Sequence, residues 1–308
     1  MATDNLLRSF GDTSIVEDVL DLVEMLSPAE DTLFRTLGKS TAINTVHQWL
    51  VDTLSNNAAA GEEAAQFSAS ALNNPTRSTN ITENINYDFG VSDVQRAVDH
   101  YGFADRFAYE QEKAMKSWRN FAEQELLRGS LVSGVSGTAP QMAGIINCLS
   151  TNATAHASGT VFNQSILDGM LAIAWANGNG EPVTDLYVGQ LMKRRISQFS
   201  GRSGTQFVIP ADQEQLVTTT SGYTSDFGDL KVHLHRYIDN NLAGTADATS
   251  RVLGIAASKF KIAYLINPQV QVYGKRGSTT DARVTGALTL ESLNERTSFV
   301  ASGFLRAA

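Results

Sequence analysis

The sequence predicts an α+β protein that reaches beyond its own core. Three features carry this expectation. Residues 45–89 read as a strand, a long polar tip and a second strand, and a loop of that length needs something outside itself to lie on. Residues 105–129 carry one long amphipathic helix. After residue 246 come further β-prone runs, far in sequence from the first strands, so the chain is expected to return to an earlier domain.

The elements follow in order. SIVEDVLDLVEMLSP (14–28) spaces Ile15, Val19, Leu22, Val23 and Leu26 as one helical face, and Pro28 stops it. TVHQWLVDTL (45–54) is rich in Val, Trp and Thr and reads as a strand. SNNAAAGEEAAQFSASALNNP (55–75) has few large apolar residues and reads as a flexible loop. TNITENINYDF (79–89) alternates, with Ile81, Ile85, Tyr87 and Phe89 on one side and Thr82, Asn84, Asn86 and Asp88 on the other. In DRFAYEQEKAMKSWRNFAEQELLRG (105–129), Ala114, Met115, Trp118, Phe121, Ala122 and Leu126 form an apolar stripe, and Gly129 is placed as a C-cap. Glu112 with Lys116 and Arg119 with Glu123 are i,i+4 pairs of opposite charge. Such a helix spans roughly 36 Å, long enough to be the spine of an elongated molecule.

Residues 131–160, rich in Gly, Ser and Thr, read as connection. SILDGMLAIAWANGNGEP (165–182) reads as a helix, with Ser165 and Asp168 in a capping-box-like spacing and Gly178 at its end. TDLYVG (184–189) reads as a short buried strand and QLMKRRISQF (190–199) as a helix. QFVIP (206–210), TTTSGYTSDFG (218–228) and DLKVHLHRYI (229–238) read as strands with turns, and strands resume from 250 to 305.

Composition bounds the function. The chain has 308 residues, a formal net charge of −8 and 42% apolar residues, which suits one large domain or two ordinary ones. Acidity argues against a protein that grips nucleic acid over a broad surface, because that needs basic faces to displace counterions. It does not argue against a protein that encloses nucleic acid. The single Cys148 allows no intrachain disulfide and no cysteine-rich zinc site, and is expected to be a small buried hydrophobe. MATDNLLRSFGDTS lacks a charged-then-apolar signal pattern, and no run approaches the ~20 apolar residues of a membrane span. The chain is expected to be made in a cytoplasm, to be soluble there and to have no membrane partner.

Catalytic patterns are mostly refused. GxxxxGK[ST] is absent, GxGxxG has no strand-to-helix setting, and no HExxH occurs. GVSGT (134–138) lacks the GxSxG spacing and its strand–elbow–helix context. Glu62 and Glu63 sit in the polar tip, a poor place to raise a carboxylate pKa by burial. His47, His100 and His156 are isolated, and Lys193, Arg194 and Arg195 read as a solvated helix face. His233 and His235 share one side of a strand and could hold a metal if a third ligand approached. Tyr237 continues their row, however, while Val232 and Leu234 form the opposite one, as in a half-buried strand whose imidazoles face solvent or a neighbour. No catalytic, cofactor-binding or metal-ligating residue is assigned, and no cofactor is expected.

Several of these segments, in this order, resemble the major capsid proteins of tailed double-stranded DNA phages with the Hong Kong ninety-seven type fold, especially the SU-ten-like podovirus group. The segments are LSPAEDTLFRTLGKSTAINTVHQWLVDTL, AYEQEKAMKSWRNFAEQELLRG, DLYVGQLMKRRISQF, TSDFGDLKVHLHRYI and FKIAYLINPQVQVYGKRGSTTDARVTGALTLESLNERT, spanning about 26–297. The resemblance implies an N-terminal arm (1–44), an extended E-loop hairpin (45–89) lying over a neighbouring subunit, and a peripheral domain with a spine helix (90–137). It also implies an axial α/β domain (138–245) and return strands to the peripheral domain (246–308). It implies pentamers and hexamers closing into an icosahedral virion head around the genome, without sequence-specific DNA binding. Assembly would occur in the host cytoplasm.

Two departures sharpen this. Some relatives weld their shells by a lysine–asparagine isopeptide bond from the E-loop, but no lysine lies between Lys39 and Lys113, so no such cross-link is expected. The region before the first helix is too short for the cleavable scaffold of other relatives, so a separate scaffolding protein is expected, together with a portal and, as an optional addition, a cement protein. Two competing readings stand beside this one: an encapsulin-like nanocompartment shell of the same fold, and a metal-dependent hydrolase using His233 and His235.

Overall fold

The computed structural model describes residues 32–54, 63, 72–100, 102, 105–199, 222–239 and 249–305. The helix expected at 14–28, the strand at 206–210 and most of the polar tip lie outside them. The described elements are α1 (Thr32–Thr36), β1 (Gly38–Thr41), β2 (Val46–Val51), β3 (Thr76–Ile81), β4 (Glu83–Ser92), α2 (Asp93–Ala97) and α3 (Arg106–Arg128). They continue with α4 (Ile145–Cys148), β5 (Ala153–Thr160), α5 (Gln164–Asn177), β6 (Asp185–Val188), α6 (Gln190–Ser197), β7 (Gly222–Ser225) and β8 (Gly228–Leu234). The last are β9 (Thr249–Ile255), β10 (Phe260–Val272), β11 (Thr279–Ser292) and β12 (Phe299–Leu305).

Three sheets result, ordered β1-β10-β11-β4, β5-β12-β9-β6-β8-β7 and β2-β3. The first is covered by α3, whose ends fall where the sequence places them. Asp105 caps it by accepting from the Phe107 amide, and Gly129 closes it with its N–H on the Glu125 carbonyl. Trp118 is the central knob. Its indole N–H donates to the Ile85 carbonyl at 2.9 Å, and a Cβ on Gly286 would lie 2.6 Å from its ring. The ring therefore needs a glycine beneath it. The expected stripe is shifted at its far end: Phe121 is exposed, while Glu123 and Leu127 are buried. The cause is a second cover, since Leu33, Leu37 and Tyr237 pack into the same core as this part of α3.

The central strands of the six-stranded sheet, β12, β9 and β6, are buried on both faces. Leu186, Val188, Val252, Phe299 and Ala301 belong to a core with α5 and α6, whereas Tyr187, Leu253, Ile255 and Val300 belong to the core shared with α3. Two-sided burial explains why Leu186, Tyr187 and Val188 follow one another without a polar residue between them.

Four expectations need correction. The antiparallel pairing of the hairpin runs only from Val46↔Ile81 to Val51↔Thr76, and β4 leaves it to pair with β11. Burial changes parity there: Asn80 and Thr82 are buried on one side of the junction, Glu83 and Ile85 on the other. The late strands divide, with β10 and β11 joining β4 while β9 and β12 complete the six-stranded sheet. Residues 153–160, expected as connection, form β5 beside β12. ATAHASGT has no aliphatic alternation because β5 is a largely exposed edge. Finally, α5 is capped by Asn163, whose Oδ1 accepts from the Ile166 amide at 2.9 Å, and not by Ser165. Asn163→Ala is therefore expected to cost about 1 kcal/mol in a urea titration, and Ser165→Ala less than about 0.5 kcal/mol.

Candidate assembly interface

The hairpin β2–β3 is rooted in the body and bare beyond it. A two-stranded ribbon is marginal in water by itself, and its root is correspondingly well tied. The Trp49 indole N–H donates to the Ser292 carbonyl at 2.8 Å. The Asn80 amide donates to the carbonyls of Leu290 (2.8 Å) and Ala143 (3.1 Å), and its Oδ1 accepts from the Ala143 N–H at 2.9 Å. His47 Nε2 stands 3.6 Å from the Glu291 carboxylate, which also accepts from Ser40 Oγ. Further out the side chains lose their cover: Leu50 is 66% exposed, Leu54 92% and Leu72 87%. Val46 and Leu50 share the outward side of β2, while His47, Trp49 and Val51 face inward. Apolar side chains held in water on a rooted arm mark a surface that another body covers.

The two neighbouring histidines part company, which overturns the expectation that they face outward with Tyr237. β8 ends at Leu234, so the alternation stops there. Leu234, expected in the core, is 56% exposed, while His235 and Tyr237 turn inward. His233 stacks on Tyr187 at 5.1 Å, and its Nε2 lies 2.8 Å from Asp185 Oδ1. Burial works to raise the Asp185 carboxyl, but hydrogen bonds from His233 and Thr184 and the charges of His233 and Lys231 outweigh it and hold it below the usual range. His235 Nδ1 accepts from the Tyr237 N–H at 3.2 Å, which leaves Nε2 to donate to Glu123 Oε1, also at 3.2 Å. The side chains of His235 and Glu123 are both 0% exposed. Glu123 also accepts from the Leu33 N–H at 2.6 Å and the Phe34 N–H at 3.4 Å, which caps the first turn of α1. Nothing in the charge pattern of α3 distinguishes this inward Glu123 from a surface i,i+4 partner.

The remaining candidates are placed separately. Lys193 donates to the Val232 carbonyl at 3.4 Å, and Arg194 and Arg195 border an open hollow of about 500 Å³ with Phe162 and Phe199. GVSGT is a tight turn bridged from Val135 to Thr138. His100 Nε2 meets the Gln95 carbonyl, His156 lies against Phe304, and Glu63 is exposed. Burial pushes the Cys148 thiol up to about 11, so it is not a thiolate at neutral pH. Among the described residues no three His, Cys, Asp or Glu side chains are grouped to hold a metal ion, and no helix is long and apolar enough to cross a membrane.

This architecture has relatives. The model of the SU10 major capsid protein family matches residues 3–304. The chain belongs to the SU10 major capsid protein family. As a member it is a structural major capsid protein of a virion shell built from copies of itself, and not an enzyme. Its fold is the Hong Kong ninety-seven type found in phage capsids. The capsid of a native GTA particle superposes with a TM-score of 0.68 at 11% identity, covering 98% of this chain and 100% of that one. A structure from Mycobacterium phage Adephagia gives 0.65 at 13% identity, covering 99% of both chains. The holo-SrpI encapsulin complex from Synechococcus elongatus PCC 7942 gives 0.61 at 11% identity and 98% of both. At these identities the likeness is one of fold. No curated protein matches the chain in sequence.

Proposed function

We propose that this SU10-type capsid protein forms pentamers and hexamers that close into the icosahedral head of a tailed phage, enclosing double-stranded DNA without reading its sequence. The observation that carries this is the hairpin, tied at its root by Trp49 and Asn80 and bearing uncovered Leu50, Leu54 and Leu72 outside it. It acts as the E-loop and lies on a neighbouring subunit. The four-stranded sheet with α3 serves as the peripheral domain, and the six-stranded sheet with α5 and α6 as the axial one. Net charge of −8 suits a wall that does not condense its contents onto itself. Assembly takes place in the host cytoplasm with a separate scaffolding protein and a portal.

The test is electron microscopy of assembled particles, paired with a denaturing gel. Uniform polyhedra filled with nucleic acid, running as a single monomer band, are expected, because the stretch between Lys39 and Lys113 offers no lysine for an isopeptide weld. Small discrete oligomers under every condition would sink the shell reading, and a covalent ladder would sink the uncross-linked one. Likeness to the encapsulin complex supports a second reading, for which the same particles would hold a protein cargo in place of nucleic acid.

A further inference from the structure

Three elements meet at the hairpin root with almost no spare room. Gly129 ends α3, and the Gly144 N–H donates to its carbonyl at 2.8 Å. A Cβ on Gly144 would lie 2.6 Å from both the Glu125 carbonyl and the Gly129 nitrogen, and one on Gly129 would lie 2.6 Å from the Met142 carbonyl. The end of α3 and residues 142–144 thus touch backbone to backbone, an approach that only glycine permits. The same short segment grips the hairpin root. Ala143 is bonded on both its N–H and its carbonyl by Asn80, and the Met142 N–H donates to Glu83 Oε2 at 3.2 Å. A change in the angle of the hairpin therefore pulls on residues 142–144 and, through them, on the end of α3, besides the ties of Trp49 and Asn80 to Ser292 and Leu290.

Glu83 sits at the pivot. It is the first residue of β4, separated from the hairpin by Thr82 alone, and is 5% exposed. Across the sheet its partner is the apolar Leu288. From α3, Glu125 faces it, and Glu125 is in turn faced by Arg128. Residues 141–144 carry no charge, and the other titratable pair at the root is His47 with Glu291. A buried carboxyl whose charged neighbour is a second carboxyl is placed to resist ionisation.

We infer that Glu83 is a proton-operated latch: protonated, it keeps the hairpin root locked to the end of α3, and ionised, it loosens that lock and frees the hairpin to change its angle to the body. Burial raises its carboxyl from 4.5 to about 7, with the Met142 amide opposing and Glu125 adding to the rise. The closed root binds the proton more tightly than the open one. Its extra stability is present in full below about pH 4.5 and is lost as pH rises through about 7. The latch acts within one chain, so its test does not depend on the shell.

The test is hydrogen–deuterium exchange on the unassembled full chain, corrected for the intrinsic pH dependence of exchange, read at the amides of β2 and β3 and of residues 142–144. The opening equilibrium at the root is expected to rise about tenfold between pH 6 and pH 8, with β6 amides unchanged as an internal reference. Glu83→Gln, which keeps an acceptor for the Met142 N–H, removes the dependence. Glu125→Gln keeps the dependence and moves its midpoint to lower pH. A flat profile in the unaltered chain overturns the inference, as does an unchanged dependence in Glu83→Gln. Should Glu83→Gln fail to fold, a midpoint that Glu125→Gln leaves unmoved overturns it equally.

Discussion

Glu123→Ala removes about 3–5 kcal/mol of stability from the unassembled chain, a large share of the roughly 5–15 kcal/mol by which folded proteins are stable. The reason is what remains behind. The Nε2–H of His235 and the amides of Leu33 and Phe34 all lose one carboxylate, and the two side chains of the pair have no access to water. Glu123→Gln keeps one acceptor oxygen and is expected to lose about 1–2 kcal/mol. Changing Glu123→Leu and His235→Leu together removes both partners and recovers part of the loss, because a buried pair replaced by apolar groups is often near neutral. The recovery stays incomplete, since Leu33 and Phe34 still lack an acceptor. Urea midpoints at constant m-value give all of these, and a loss below about 1 kcal/mol for Glu123→Ala refutes the assignment of this pair as the tie between α1, α3 and the end of β8.

This pair also shows where sequence reading stops. The ends of α3 were legible because capping is local: Asp105 and Gly129 act within four residues of themselves. The buried strand β6 was legible because two covered faces call for consecutive large side chains, here Leu186, Tyr187 and Val188. Glu123 and His235 are 112 residues apart, and each looks ordinary in its own segment. The same limit hid the division of the late strands, because β propensity marks β9 through β12 as strands without naming the sheet each one joins. The hairpin was legible as an excursion from its long coreless tip. Its true end at Ile81 was not, because the alternation of 79–89 runs on through a junction where burial changes sides. Asn80 and Glu83, which set that junction, are polar residues in a strand, and only their distant partners at Ala143, Leu290 and Met142 give them meaning.

Leu50→Asp combined with Leu54→Asp is expected to abolish particles while leaving the subunit folded. Both side chains stand in water in the single chain, so replacing them alters its own melting by little more than the ~1 kcal/mol range of strand propensity. On a neighbour each leucine would bury its side chain, a gain of about 1.5–3 kcal/mol apiece. The two aspartates forfeit that gain and add the desolvation of two carboxylates. The loss of about 3–6 kcal/mol is two to four powers of ten in each contact, and in a closed shell every subunit suffers it both as the owner of a hairpin and as the surface beneath one. Sedimentation velocity and electron microscopy should then show only monomers or small oligomers, with circular-dichroism melting close to that of the unaltered chain. Thr53→Asp adds a single charge to the same arm without removing apolar surface, and is expected to assemble. Shells at normal yield from the double variant would mean that the uncovered leucines lie on no neighbour, and the hairpin would lose its role as the arm that holds the lattice together.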